Sequence, residues 1–234
     1  MSEFFKTLKR LARDSKARRE AGLMFCDGEK MLAEALSSGI TPVHVVSVEP
    51  RDIPGVCCET APYQVIESIS ALDAPQKLIF TVPLPDLSLR SVGSGKYIIL
   101  DRLQDPGNVG SIIRTACATG IDAVVLNDGC ADVSNPKTLR ATMGTIFRQR
   151  VMRGTDAEIR QAFGRVPVYA ADMSGGANPA EIQGSCAVVI GNEGSGISDF
   201  WRGLPTITIP MGGNCESLGA AAAAAIIMWE LSKC

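Results

Sequence analysis

Aromatic residues make up only 5% of this 234-residue chain, and there is a single histidine, His44, in an apolar run. No hydrophobic stretch is long enough to cross a bilayer: the longest, Leu218 to Trp229, stops at Glu230, well short of the roughly 20 residues a span needs. The amino end, Met1 to Lys6, has no apolar core ahead of a small-residue cleavage site, so the expectation is a cytoplasmic protein without a membrane partner. The eight cysteines include no C-x-x-C pair, and with one histidine they form no set of zinc-ligand spacings. Reduced thiols and no metal site are expected. What is present is ordinary for a folded protein: 46% hydrophobic and 21% charged residues, in a length that allows one large domain or two modest ones.

The net charge of −2 conceals an asymmetry. Residues 1–20 hold seven bases (Lys6, Lys9, Arg10, Arg13, Lys16, Arg18 and Arg19) against three acids, and residues 137–153 hold five (Lys137, Arg140, Arg148, Arg150 and Arg153) and no acid. Positive charge gathered in two places is what a surface tracking phosphates requires, although a solvated helix face carries the same pattern.

Phe4, Phe5, Leu8, Leu11 and Ala12 recur at helical spacing and predict an amphipathic opening helix. A helix over Gly28–Ser38 ended by Gly39, a strand at Val43–Val48, a short helix at Ile66–Leu72 and a strand at Leu78–Val82 follow. Residues 83–95, broken by Pro83, Pro85, Gly93 and Gly95, read as a linker. Beyond it, Tyr97–Leu100, Ala123–Leu126, Val168–Ala170, Ala187–Ile190 and Thr206–Ile209 are short apolar runs of the buried parallel kind. Helices are expected between them at Asn108–Thr119, Pro136–Thr145 and Ala157–Phe163, and after them at Glu216–Ser232. The expectation is a doubly wound α/β domain at 96–234 behind a smaller domain at 1–95.

Parallel sheets bind ligands beyond the carboxyl ends of their strands, which directs attention to three loops. Asp101–Gly110 leads to Asn108, able to cap a helix, and to Arg114, able to hold a phosphate bidentately. Gly191-Asn192-Glu193-Gly194-Ser195-Gly196 has the glycines for close approach but not the order of a dinucleotide fingerprint, and its carboxylate is a poor neighbour for a pyrophosphate. Ile209-Pro210-Met211 runs through Gly212 and Gly213 to Glu216-Ser217-Leu218, with Ser217 either a ligand contact or a helix cap.

Taken together, Asn108-x-Gly110-x-x-x-Arg114, the Gly191–Gly196 loop and Ile209-Pro210-Met211 with Glu216-Ser217-Leu218 resemble the three motifs of the SpoU/TrmH branch of SPOUT RNA methyltransferases. More weakly, Phe25-x-Asp27-Gly28-Glu29-Lys30 and the basic helix before it resemble that family's ribosomal-protein-like, RNA-binding amino-terminal domain. The resemblance implies an α/β trefoil knot, a homodimer whose site draws on both chains, and S-adenosylmethionine as methyl donor to a ribose 2′-hydroxyl of rRNA or tRNA. It places Gly191, Ile209 and Leu218, with Met211 and Gly196 beside them, at the cofactor, and Asn108, Arg114, Glu193 and Ser217 at the reacting centre. RNA contacts are expected from Lys6, Lys9, Arg10, Arg13, Arg18, Arg19, Arg140 and Arg148. Gly219 stands where the family usually has Asn, so a catalytically impaired RNA-binding protein is the alternative reading.

Overall fold

The computed structural model describes residues 2–213 and 217–233. The amino-terminal part forms α1 (Glu3–Arg13), α2 (Ser15–Ala21), β1 (Leu23–Asp27), α3 (Glu29–Ser37), β2 (His44–Ser47), β3 (Cys57–Thr60), α4 (Tyr63–Ile69) and β4 (Leu78–Pro83). The remainder forms β5 (Lys96–Leu100), α5 (Pro106–Thr119), β6 (Ala123–Leu126), α6 (Pro136–Thr142), β7 (Val151–Arg153), α7 (Asp156–Ala162), β8 (Val168–Ala171), β9 (Cys186–Ile190), β10 (Thr206–Ile207) and α8 (Ala220–Ser232).

By contact the chain divides into two compact units, Met1–Pro85 with Asp132–Arg148, and Asp86–Ala131 with Gln149–Cys234. The boundary expected at residue 95 therefore falls ten residues earlier, and a segment expected in the second domain packs in the first. Ion pairs and hydrogen bonds join packing of α6 on β1 in holding it there. Arg18 lies buried and spends its guanidinium on Ser134 Oγ (2.9 Å), the Leu11 carbonyl (3.0 Å) and Asp132 Oδ2 (3.0 Å). Arg140 donates to Asp27 Oδ1 (3.0 Å) and to the Ala74 carbonyl (2.7 Å), and Arg148 pairs with Glu34 (3.0 Å).

The first unit is a four-stranded sheet in the order β1-β4-β2-β3, with β4 antiparallel to β1 and β2, and β2 parallel to β3. The amphipathic pattern of the opening helix is realised: Leu8, Leu11 and Ala12 of α1 join Phe25, Val46, Ile66, Ile69 and Ile79 in one core. The helix ends at Asp14, whose carboxylate accepts from Lys16 N and caps α2. This arrangement leaves Arg10, Arg13 and Arg19 exposed on the unit's surface, while Arg18 is only 3% exposed. Arg18, expected among the RNA-facing bases, is thus a residue of the fold, its donors consumed inside it.

The second unit is a six-stranded, wholly parallel sheet in the order β10-β8-β9-β5-β6-β7. Tyr97, Ile99, Val125, Met152 and Val189 face Ile159 and Phe163 on one side, and Trp201 closes that core. Alternate residues Ile98, Val124 and Val188 point to the other side and are equally buried, where α5 packs on β6 and on α8. Three expected helix starts shift by two residues or more: α4 of the first unit occupies Tyr63–Ile69 instead of Ile66–Leu72, and two shift in this unit. Asp105, not Asn108, caps α5, with Pro106 at the first turn; α8 begins at Ala220 behind an extended Gly219, not at Glu216, which with Asn214 and Cys215 lies outside the described residues.

Breaking a buried ion pair from one side costs about 3–5 kcal/mol because the other charge is left uncompensated. Burial opposes ionisation of Asp132, but the Ser134 N–H and hydroxyl and the Arg18 guanidinium outweigh it and hold the carboxyl below its usual value. A lowered value stabilises the fold at pH above the ordinary 3.8 and loses that contribution as pH falls through the folded value. Arg18→Met is therefore expected to lower the unfolding free energy by about 3 kcal/mol at pH 7, and by progressively less in acid, in urea titrations of the full chain.

Candidate active site

Because all six strands of the second sheet run parallel, the loops after β5, β9 and β10 emerge on one edge. The loop after β5 opens with Asp101, wholly buried, which accepts from the Ser198 N–H (2.6 Å) and Asn127 Nδ2 (2.9 Å) and lies 3.4 Å from Arg102 Nε. Asn127 Nδ2 also donates to Asp156 Oδ1 (2.9 Å), which in turn accepts from Trp201 Nε1 (2.8 Å). Asn127 Oδ1 accepts from the Arg102 N–H (2.8 Å), and Arg102 takes a left-handed conformation with φ 54°. That turn presents the Arg102 carbonyl to Asn192 Nδ2 at 2.9 Å.

Asn192 then shapes the loop after β9. Its Oδ1 accepts from the N–H groups of Gly194 (2.9 Å) and Ser195 (3.2 Å), and its backbone pairs in both directions with Gly196. A Cβ on Gly191 would sit 2.4 Å from the Gly196 carbonyl carbon, so this crossing admits only glycine. The outcome is that Glu193 reaches Asn108 Nδ2, which donates to Glu193 Oε1. Since Asp105 has taken the capping role, accepting from Asn108 N at 2.7 Å, the Asn108 side chain is left for that contact.

A cavity of about 370 Å³ lies among these loops. It brings together Gly191, Glu193, Gly196, Ile209, Met211, Ser217 and Leu218, seven of the residues expected at the site from the second and third motifs, while Asn108 of the first motif reaches it only through Glu193. Ile190, Ile207 and Ile227 add apolar wall. Ser217 and Leu218 line the cavity ahead of α8, so Ser217 is not that helix's cap, a position held by Gly219 with no side-chain bond. Arg114 is not among the lining residues; it is exposed on α5, with no hydrogen bond or ion pair among the described residues. Asp172, Met173 and Thr208 also line the cavity and were missed, because the Gly175-Gly176 turn after β8 belongs to none of the three motifs and Thr208 directly follows β10 with no marker of its own. The Ser174 hydroxyl and N–H hold the Asp172 carboxyl below its usual value.

An apolar cleft with a few convergent polar groups, on the carboxyl edge of a parallel sheet, defines a small-molecule-binding α/β enzyme domain. Residues 95–229 match the model of the SpoU rRNA methylase family. The chain belongs to that family. It is 35% identical over 228 residues to the 23S rRNA (guanosine(2553)-2′-O)-methyltransferase RlmP of Bacillus subtilis, covering 92% of this chain and 91% of the relative. It is 32% identical over 185 residues to the 23S rRNA (uridine(2479)-2′-O)-methyltransferase of Streptomyces viridochromogenes, covering 73% and 64%. Among solved structures, the AdoMet-bound rRNA methyltransferase of Sinorhizobium meliloti superposes with a TM-score of 0.87 at 25% identity, covering 99% of this chain and 95% of that one. The AdoMet complex of AviRb from Streptomyces viridochromogenes gives the same TM-score and identity, covering 100% and 98%.

The residues present fit S-adenosylmethionine. The aliphatic walls suit its planar adenine, and the carboxylates of Glu193 and Asp172 suit a cationic ligand while opposing a phosphorylated one.

Overpacking of the kind Gly191→Ala forces costs about 1–3 kcal/mol, and 1.4 kcal/mol is tenfold in affinity. Calorimetry is expected to find S-adenosylmethionine binding weakened about tenfold by this change. Gly219→Asn, where the Cβ meets nothing within 4 Å, is expected to leave folding intact and binding within about threefold of the original.

Proposed function

We propose that the protein transfers the methyl group of S-adenosylmethionine to a ribose 2′-hydroxyl of 23S rRNA, as a homodimer in which each site uses both copies. The observation that carries this reading is the Asn108–Glu193 pair held beside an apolar cleft by three loops. The reading includes a carboxyl-terminal segment threaded as a knot and a cytoplasmic location, both following from the family likeness.

When bound, S-adenosylmethionine supplies a methyl group on a positively charged sulfur. A ribose hydroxyl is a weak nucleophile, so its proton must be accepted as the methyl transfers. Glu193, oriented by the Asn108 amide, holds a carboxylate in place for that proton or for the water that carries it away. Ser217 supplies a further hydroxyl to the cleft wall. Arg114, a guanidinium that stays protonated, positions a phosphate of the substrate and offsets developing negative charge.

The use of both copies is supported by Arg114, which lies outside the lining of its own cleft. Six residues separate it from Asn108, so it sits about 120° away around α5 and about 9 Å further along it. It faces away from its own cleft and is available to a second copy. Beside the cleft, Ile226 and Trp229 of α8 are exposed apolar side chains three residues apart, Trp229 at 58%, and Leu218 is exposed just ahead of that helix. A surface of this kind on a soluble unit is the ordinary mark of a self-association face.

The reading is tested by mixing. Arg114→Ala is expected to lower kcat about 100-fold with S-adenosylmethionine affinity unchanged, and Glu193→Ala to be similarly impaired. Mixed heterodimers of the two contain one intact site, so random exchange is expected to restore about a quarter of the activity; no recovery would place both residues in a site within one copy. The alternative, an impaired RNA-binding protein, is favoured if Gly219→Asn raises turnover tenfold or more.

A further inference from the structure

A second cavity, of about 390 Å³, lies wholly in the first unit and is unrelated to the cofactor cleft. Its walls come from the end of β2 and the turn after it (Ser47, Arg51), the first residue of α3 (Glu29), the first residue of α4 (Tyr63), and the segment that enters β4 (Gln76, Lys77). Strands β1 and β2 both run antiparallel to β4, so their carboxyl ends share this edge with the start of β4.

Three features mark it as a built site. The wall at residues 74–76 is fixed from several sides: Asp27 Oδ2 accepts from Gln76 N (3.0 Å), Arg140 donates to the Ala74 carbonyl (2.7 Å) and Tyr63 Oη donates to the Pro75 carbonyl (3.2 Å). Gly28, at φ 103°, lets the Gln76 side chain lie directly over the start of α3, with Cγ 3.1 Å from where a Cβ would be. Arg51 pairs with Glu29 through a terminal nitrogen, yet its buried Nε has no hydrogen-bond partner. A buried donor left unpaired costs about 1–3 kcal/mol, so this one awaits an acceptor.

The chemistry of the walls selects the ligand. Glu29 and Glu49 balance Arg51 and Lys77, which opposes both a free polyphosphate and a multivalent cation. The carboxamide of Gln76, the guanidinium, the carboxylates and the flat face of Tyr63 instead offer donors, acceptors and a stacking surface within one small space. We propose that this cavity receives a single unstacked nucleobase of the substrate RNA, read on its hydrogen-bonding edge by Arg51 and Gln76. Single-stranded bases splayed from loops are the usual carriers of sequence information in RNA. The proposal rests on the reading of the protein as an RNA methyltransferase, and it gives the first unit the task of choosing the target.

The experiment uses the full chain with a 23S rRNA transcript carrying 4-thiouridine or 6-thioguanosine. Irradiation is expected to crosslink the RNA to the peptides bearing Tyr63 or Gln76. Arg51→Met, which keeps the aliphatic stem, and Lys77→Ala are expected to raise KM for RNA at least tenfold, with kcat and S-adenosylmethionine affinity within about twofold of the original. Should Arg51→Met fold poorly by circular dichroism, Lys77→Ala and the crosslinks decide. Crosslinks confined to other peptides with unchanged KM would overturn the proposal, as would a crosslink suppressed by millimolar mononucleotides but not by unlabelled RNA. If the original protein methylates no RNA, the methyltransferase reading fails, and the crosslink position still judges the cavity.

Discussion

A carboxylate with no access to water must be satisfied by the protein around it, and Asp101 is such a group. It sits at the end of β5, in the middle of the second sheet, and it gathers the Ser198 N–H, the Asn127 amide and the Arg102 guanidinium. Each of those partners belongs to a different loop. Ser198 ties down the chain beyond the Gly191–Gly196 turn; Asn127 links the end of β6 to Asp156 and Trp201; and Arg102 is bent into a left-handed turn that holds Asn192. The placement of Glu193 against Asn108 is the last consequence of that single buried charge. Catalytic groups borne on loops need such fixing, because a displacement of an ångström is costly in rate.

The first unit follows the same logic with the charges reversed. Two arginines, Arg18 and Arg140, are met by Asp132 and Asp27, and these pairs bring the segment Asp132–Arg148 into a unit that is otherwise amino-terminal. Burial pushes the Asp27 carboxyl up, countered by the Gln76 N–H and Arg140, so part of its charge serves to fix the wall of the second cavity. The basic clusters therefore divide in function. Some of their members hold the fold, and others, including Arg10, Arg13 and Arg19, stay exposed on its surface.

Much of this was legible in the sequence, for identifiable reasons. Continuous apolar runs mark strands buried on both faces, so β5, β6 and β9 were readable, as was the half-buried but wholly apolar β8, and the glycine-bearing loop after β9 marked the cleft. Strand β3, an edge strand whose residues are exposed or half-buried, and β7, only three residues long, carry no such signal. Caps were ambiguous because Asp105 and Asn108 can both perform the role and only the fold decides which is spared. The allegiance of residues 132–148 was illegible, since it depends on partners more than a hundred residues away in sequence, Asp27 for Arg140 and Arg18 for Asp132. Asp172 and Thr208 were invisible for a related reason: they are brought to the cleft by strand pairing alone.

The cleft walled by the loops after β8, β9 and β10 is what directs a methyl group to a ribose oxygen in the proposed reaction. The most direct measurement supplies the protein with methyl-labelled S-adenosylmethionine and 23S rRNA from cells lacking its gene, then hydrolyses the product in alkali and separates the nucleotides. A 2′-O-methyl group removes the hydroxyl that alkaline cleavage requires, so the account predicts label in one alkali-resistant dinucleotide. Label recovered in a mononucleotide, on a base, would contradict it.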